Sequence, residues 1–277
     1  MQIIKLFDPW KSPLCTCPPK YTLNPYTGCQ HKCIYCYASS YIPNFFKIRI
    51  KPNILSKVKK DIPYLDKKLH VSISNSSDPY PPIEKDYKIT RQILKLFVEN
   101  EIPFMIITKS NLVTRDIDII KEGKSAVAIS ITSLSENFSK KFEPFAPLPK
   151  ERIKAAIELA KKGIPLIIRI DPIIPNFNDK EIPEIIETLK DYASQFVIST
   201  LKPRPDGLKR LKKYINPEIF TEKIRGTYYL PYEKRKIIIQ KARECADKYK
   251  IPISTCREGI KEFDNAETCD GSHLIKR

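Results

Sequence analysis

No stretch of this 277-residue chain is hydrophobic for long enough to cross a membrane, so no spanning helix is expected. There is no internal repeat and no low-complexity tract, and the length suits one folded core with short terminal additions. The opening Met1-Gln2-Ile3-Ile4-Lys5 lacks the architecture of a signal peptide, which points to the cytoplasm. Histidine is scarce: His31, His70 and His273 are too scattered to argue a metal site, and His31 is expected to face solvent. Only two methionines and few glutamines stand beside abundant Lys, Ile and Pro, a balance that suits a thermophile.

Positive charge, by contrast, is plentiful. Forty-nine basic and 32 acidic residues leave a formal net charge of +17, which favours anionic partners. Lys202, Arg204, Lys209, Arg210, Lys212 and Lys213 form a local concentration, with Pro203 and Pro205 holding the segment extended. DNA or RNA is the partner this suggests. A Lys-rich solvated surface would give the same count.

Three of the eight cysteines, Cys29, Cys33 and Cys36, stand in a C-x3-C-x2-C spacing. A cubane iron-sulfur cluster normally takes four thiolates, so a short loop with three leaves one iron open to an outside ligand. Gly28 can adopt backbone angles closed to other residues and turn the chain just before the first ligand. A structural zinc site would need a second, distant pair. Three thiols cannot pair as disulfides.

Around this loop, β-branched runs alternate with helical stretches at βαβ spacing. Strands are expected at Tyr21–Asn24, Leu69–Ser74, Phe104–Thr108, Ala126–Thr132, Leu166–Ile170 and Phe196–Thr200. The clearest helix is Lys150–Lys162, with Pro149 at its start, Gly163 past its end and Ile153, Ala156, Ile157 and Ala160 on one stripe. The fold class expected is α/β: a partial (β/α)6 TIM barrel, with its site on the loops after the strands. The division expected is an N-terminal extension over 1–20, the barrel over 21–206 and a helical and loop addition over 207–277.

Several motifs in order carry a family resemblance. Asn24 to Ala38, the run from Ser72 to Tyr80, Ile107-Thr108-Lys109-Ser110 with Arg115-Asp116, and Ile129-Ser130-Ile131-Thr132 resemble radical S-adenosylmethionine (SAM) proteins of the spore photoproduct lyase-like group. Glu143-Pro144-Phe145-Ala146-Pro147 and Asp171-Pro172-Ile173-Ile174-Pro175 match the same group. The resemblance implies a 4Fe-4S cluster on Cys29, Cys33 and Cys36, with SAM chelating the open iron and a reductant such as ferredoxin or flavodoxin. It implies that Ser77, Asp78, Lys109 and Ser130 bind SAM, Lys109 pairing with its carboxylate. Tyr37 is expected to pack against adenine, while Tyr35 is a candidate hydrogen-atom relay.

One departure stands out: the lyases carry a hydrogen-donating cysteine where this chain has Ser76. A hydroxyl O–H bond is too strong to replace a thiol in that step, so another residue must quench the radical or the reaction differs. Cys245 falls on the apolar stripe of a helix expected at Glu233–Lys248, together with Ile238, Ala242, Ala246 and Tyr249. That leaves Cys15, Cys17, Cys256 and Cys269, enough for a second 4Fe-4S cluster; zinc, disulfides and free thiols are the other readings. Cys256, just past the strand-like Ile251–Ser254, is also the candidate for the thiol missing at Ser76. The rival reading for the whole chain is a non-catalytic iron-sulfur or zinc protein binding nucleic acid, which would need no Ser77, Lys109 and Ser130 pocket.

Overall fold

The computed structural model describes residues 2–8 and 12–275. Its centre is a parallel sheet of seven strands: β1 (Tyr21–Leu23), β2 (Val71–Ile73), β3 (Phe104–Thr108), β4 (Ser125–Ser130), β5 (Leu166–Ile173), β6 (Gln195–Thr200) and β7 (Ile253–Thr255). Spatial order follows chain order, so every step is a crossover returning to the next place in the sheet. Lys5–Leu6 adds a short antiparallel strand outside β1, and the sheet stays open, with that strand and β7 as its edges. This is the partial barrel expected, extended by β7 where the sequence marked a strand-like run.

The crossovers carry helices α1 (Ile54–Asp61), α2 (Ile89–Glu99), α3 (Ile117–Glu122), α4 (Pro149–Lys161), α5 (Ile182–Leu189) and α6 (Tyr232–Lys248). Outward strand residues such as Phe104, Ile106, Val127, Ile129, Ile168 and Ile198 pack beneath them in one continuous core. In α4, Pro149 occupies the first turn, where its missing N–H costs nothing.

The buried stripe of α4 differs from expectation: Arg152, Ala155, Ala156 and Leu159 face inward, with Ile153, Ile157 and Ala160 only partly buried at its flank. In α6 the fully buried set is Arg235, Ile239, Ala242 and Ala246, while Ile238, Cys245 and Tyr249 pack at the margin. The cause is the same in both. A buried arginine with an acidic partner turns its helix by about one position, and apolar periodicity does not register such a pair.

Because strand residues alternate between faces, the inward rows grade from apolar to polar toward the strands' C-terminal ends. Met105, Ile107 and Lys109 form one row; Ala126, Ala128 and Ser130 a second; Ile167, Arg169 and Asp171 a third. The lower barrel is filled by the C-terminal tail, whose Leu274 and Ile275 pack on Met105, Ala126, Ala128, Ile167 and Val197. Gly271, at φ +80°, lets the tail enter: a Cβ there would stand 2.5 Å from the Ile167 side chain. The upper, polar end remains a cavity of about 430 Å³.

Candidate active site

The three-cysteine loop leaves β1 and is clamped over that cavity. Gly28 sits at φ +85°, and a Cβ would meet the Phe45 carbonyl oxygen at 2.4 Å, so only glycine fits. The Cys29 N–H donates to Phe45 O at 2.9 Å, Ile34 N–H to Phe142 O at 3.0 Å, and Cys36 N–H to Cys33 O at 3.1 Å. From above, Arg210 donates to the carbonyls of Ile34 (2.8 Å) and Cys36 (3.3 Å) and to Ser39 Oγ (2.7 Å), its other arm pairing with Asp206.

All three thiols border the cavity and none is in a disulfide. Burial raises all three, Cys33 to about 12, with neighbouring negative charge adding for Cys29 and Cys33. As free side chains they are therefore neutral, and a bound metal would displace their protons. Among the described residues no group of three or more His, Cys, Asp or Glu is arranged for a single metal ion. The set fits a polynuclear cluster, whose thiolates sit on separate irons, and the cavity beside it gives an outside fourth ligand room.

Facing the loop is an ionic knot that the sequence did not reveal. Glu143, fully buried, accepts from Tyr35 Oη and from Thr132 Oγ1 at 2.8 Å; Lys109 Nζ lies 3.7 Å from it. Arg152 approaches the other carboxylate oxygen to 2.5 Å without the alignment of a hydrogen bond. Burial alone would raise the Glu143 carboxyl, but Arg152 and Lys109 outweigh it and hold it down at about 2. The motif around Glu143 was visible; its partner Arg152 was hidden on a helix that reads as amphipathic.

Lys109 Nζ also donates to the Asp171 carbonyl at 3.3 Å and so projects between β3 and β5 into the cavity. Asp78 accepts from Tyr80 N–H (2.9 Å), Thr108 Oγ1 (2.7 Å) and Lys109 N–H (2.9 Å). Expected to bind SAM, it spends these bonds fixing the β2 and β3 loops and thus the base of Lys109. His31 is not solvated as expected. It is 2% exposed, its Nδ1 3.5 Å from Asp78, and burial lowers its pKa.

The remaining candidates border the same cavity. Ser77 Oγ donates to Ser74 Oγ at 3.3 Å, Ser76 N–H to Asn24 Oδ1 at 3.0 Å, and Tyr37 Oη to the Asn75 carbonyl. Tyr37 stacks on Tyr41 with centroids 6.3 Å apart. Ser130 is buried beside Lys109, Cys256 follows β7, and Cys15, Cys17 and Cys269 line the far wall. Arg169, 2.6 Å from Asp171, joins them; nothing in the sequence marked it.

Two of the six basic residues serve the fold, and the segment expected to be extended is a helix over Pro205–Leu211. Lys202 is buried against Glu258 and Ser199, and Arg210 holds the cysteine loop, leaving Lys209, Lys212 and Lys213 exposed.

An open α/β barrel carries a three-thiol loop after its first strand, with a lysine and serines facing it from the next strand ends, an arrangement suited to a metal cofactor at the barrel mouth. Residues 23–189 match the Radical SAM superfamily, and the chain belongs to that family. Membership implies a 4Fe-4S cluster and SAM. An uncharacterized protein of Methanocaldococcus jannaschii is 40% identical over 58% of this chain and 63% of its own length. A protein of Pseudomonas phage M6 named radical SAM Nalpha-GlyT isomerase is 24% identical over 84% of this chain and 53% of its own. The chain thus matches under two thirds of these relatives' lengths. In structure, a spore photoproduct lyase variant with bound AdoMet and dinucleoside spore photoproduct superposes with a TM-score of 0.65 at 19% identity, covering 91% of this chain and 80% of that one. At that identity the likeness speaks for the fold.

Proposed function

We propose that this chain is an enzyme that reductively cleaves SAM at a cluster held by Cys29, Cys33 and Cys36 and abstracts hydrogen from a substrate in the barrel mouth, the substrate class being nucleic acid. When bound, the cluster supplies the electron that splits the sulfonium into methionine and a 5'-deoxyadenosyl radical. The observation carrying this reading is that the three thiols and Lys109, from separate strand ends, border one cavity.

Lys109 anchors the SAM carboxylate as a point charge. Glu143, 3.7 Å from its Nζ, aims that lysine, and Asp78 fixes its backbone. Ser77 and Ser130 offer hydroxyls to the carboxylate or ribose, and Tyr37 an aromatic face. The loop clamped by Arg210 covers the site and limits water. Because Tyr35 Oη donates to Glu143, a relay through Tyr35 would first have to give up that bond. The lyase neighbour bound to a dinucleoside photoproduct and the net charge of +17 support a nucleic-acid substrate. A low-potential reductant such as ferredoxin or flavodoxin completes the system.

The test is anaerobic reconstitution, reduction with dithionite and chromatography of the products. We expect 5'-deoxyadenosine and methionine from the native protein and none from Cys29→Ala, Cys33→Ala or Cys36→Ala. A reconstituted native protein that forms no 5'-deoxyadenosine overturns the reading.

A further inference from the structure

Cys15 and Cys17 lie near the start of the chain and Cys256 and Cys269 near its end, yet all four border the one cavity. Two polar ties assemble them. Lys20 Nζ meets Asp270 at 2.5 Å, both buried, and fastens the leader carrying Cys15 and Cys17 to the tail carrying Cys269. Gln195 donates to Ser254 Oγ (2.8 Å) and to the Thr268 carbonyl (3.0 Å), while Ser254 Oγ donates to the Cys269 carbonyl (2.9 Å), which fastens the tail to the strand that ends at Cys256. The result places Cys269 Sγ 3.5 Å from Cys17 Sγ, with Cys15 beside Cys17. All four are free thiols.

Basic residues stand beside the set, Lys20 being paired with Asp270 and Arg169 with Asp171. Lys20 stands by Cys17 and Cys269, and Arg169 hydrogen-bonds Cys256 with Arg257 next to it. Four closely placed thiolates would otherwise repel one another in this half-buried wall. Nitrogen and carboxylate ligands are absent from the set itself, which selects soft metals. Among the described residues neither set is arranged for a single ion.

From this arrangement we infer that Cys15, Cys17, Cys256 and Cys269 hold a second 4Fe-4S cluster, ligated by four thiolates and so without an open iron. It differs in kind from the cluster of the three-cysteine loop: it has no place for SAM. Loading it separates Cys17 from Cys269 onto different irons and locks leader, tail and β7 together.

Counting metal at the two sets separately tests this. Anaerobically reconstituted native protein is expected to hold about eight iron and eight sulfide per chain. The triple Cys29→Ala, Cys33→Ala, Cys36→Ala variant should keep about four with a Mössbauer signature of a cubane, and Cys17→Ser with Cys269→Ser should also keep about four. Cys256→Ser should lose the same signal as that pair. About four irons in native protein, all lost in the triple variant, overturns the second cluster while leaving SAM cleavage intact. Stoichiometric zinc in the triple variant, or a Cys17–Cys269 disulfide in protein purified without oxygen, overturns it as well. Conversely, iron retained by the triple variant with no 5'-deoxyadenosine from native protein would sink the catalytic reading and sustain this one.

Discussion

Removing the Glu143 carboxylate would leave the buried Arg152 and the partly buried Lys109 without that counter-ion. Breaking one side of a buried ion pair costs about 3–5 kcal/mol, so Glu143→Gln is expected to lower stability by that order in a denaturant titration. The pH dependence has a definite sign. With its folded pKa at about 2, below the ordinary 4.5, Glu143 contributes stability that is fully present above pH 4.5 and fades as pH falls toward 2. Asp270, held near 2 by Lys20 against the upward effect of burial, adds to the same window. Native protein should therefore lose stability steeply between about pH 4.5 and 2, and Glu143→Gln less steeply; equal slopes would refute the assignment. Lys109 was legible through the family resemblance of Ile107-Thr108-Lys109-Ser110, since a lysine at a strand end is by itself an ordinary solvated residue. Glu143 and Arg152 were not legible as a pair, since nothing in their spacing announces that the chain folds them together.

At the scale of elements, two glycines with left-handed backbone should respond differently to alanine. At Gly28 the added Cβ collides with backbone at 2.4 Å, so Gly28→Ala should displace the cysteine loop and abolish iron retention. At Gly163, φ +78°, nothing lies within 4 Å, so Gly163→Ala should cost only the left-handed penalty of about 1–2 kcal/mol with metal content unchanged. Iron analysis and thermal unfolding separate the two, and iron loss in both would mean that global stability, not loop geometry, controls loading. The strands were legible because alternation and β-branching report directly on a sheet covered by helices. The faces of α4 and α6 were misjudged by about one position because Arg152 and Arg235 are drawn inward by Glu143 and by Glu222 with Glu258.

Across the whole molecule, the charge of +17 is less available than its count suggests, because Lys202 and Arg210 serve the interior. Replacing Lys209, Lys212 and Lys213 together with Gln should weaken DNA binding and reduce the slope of log affinity against log salt by about 0.9 for each duplex phosphate that is no longer neutralised. Arg210→Gln should instead impair the cluster loop, seen as a fall in bound iron. An unaltered salt slope in the triple lysine variant would remove that surface from the interface. Composition could not separate these lysines from the internal ones, since burial is decided by the fold.

The tail that fills the lower barrel has one further consequence. Leu274 and Ile275 are the stopper beneath Met105, Ala128, Ile167 and Val197, with the cavity lying above them. A chain cut after Glu267 would keep all seven strands and the cysteine loop but open the barrel from below into a greasy funnel. Such a protein should light up an environment-sensitive hydrophobic dye that the intact one ignores, and its metal centre would face oxygen and water from two sides instead of one.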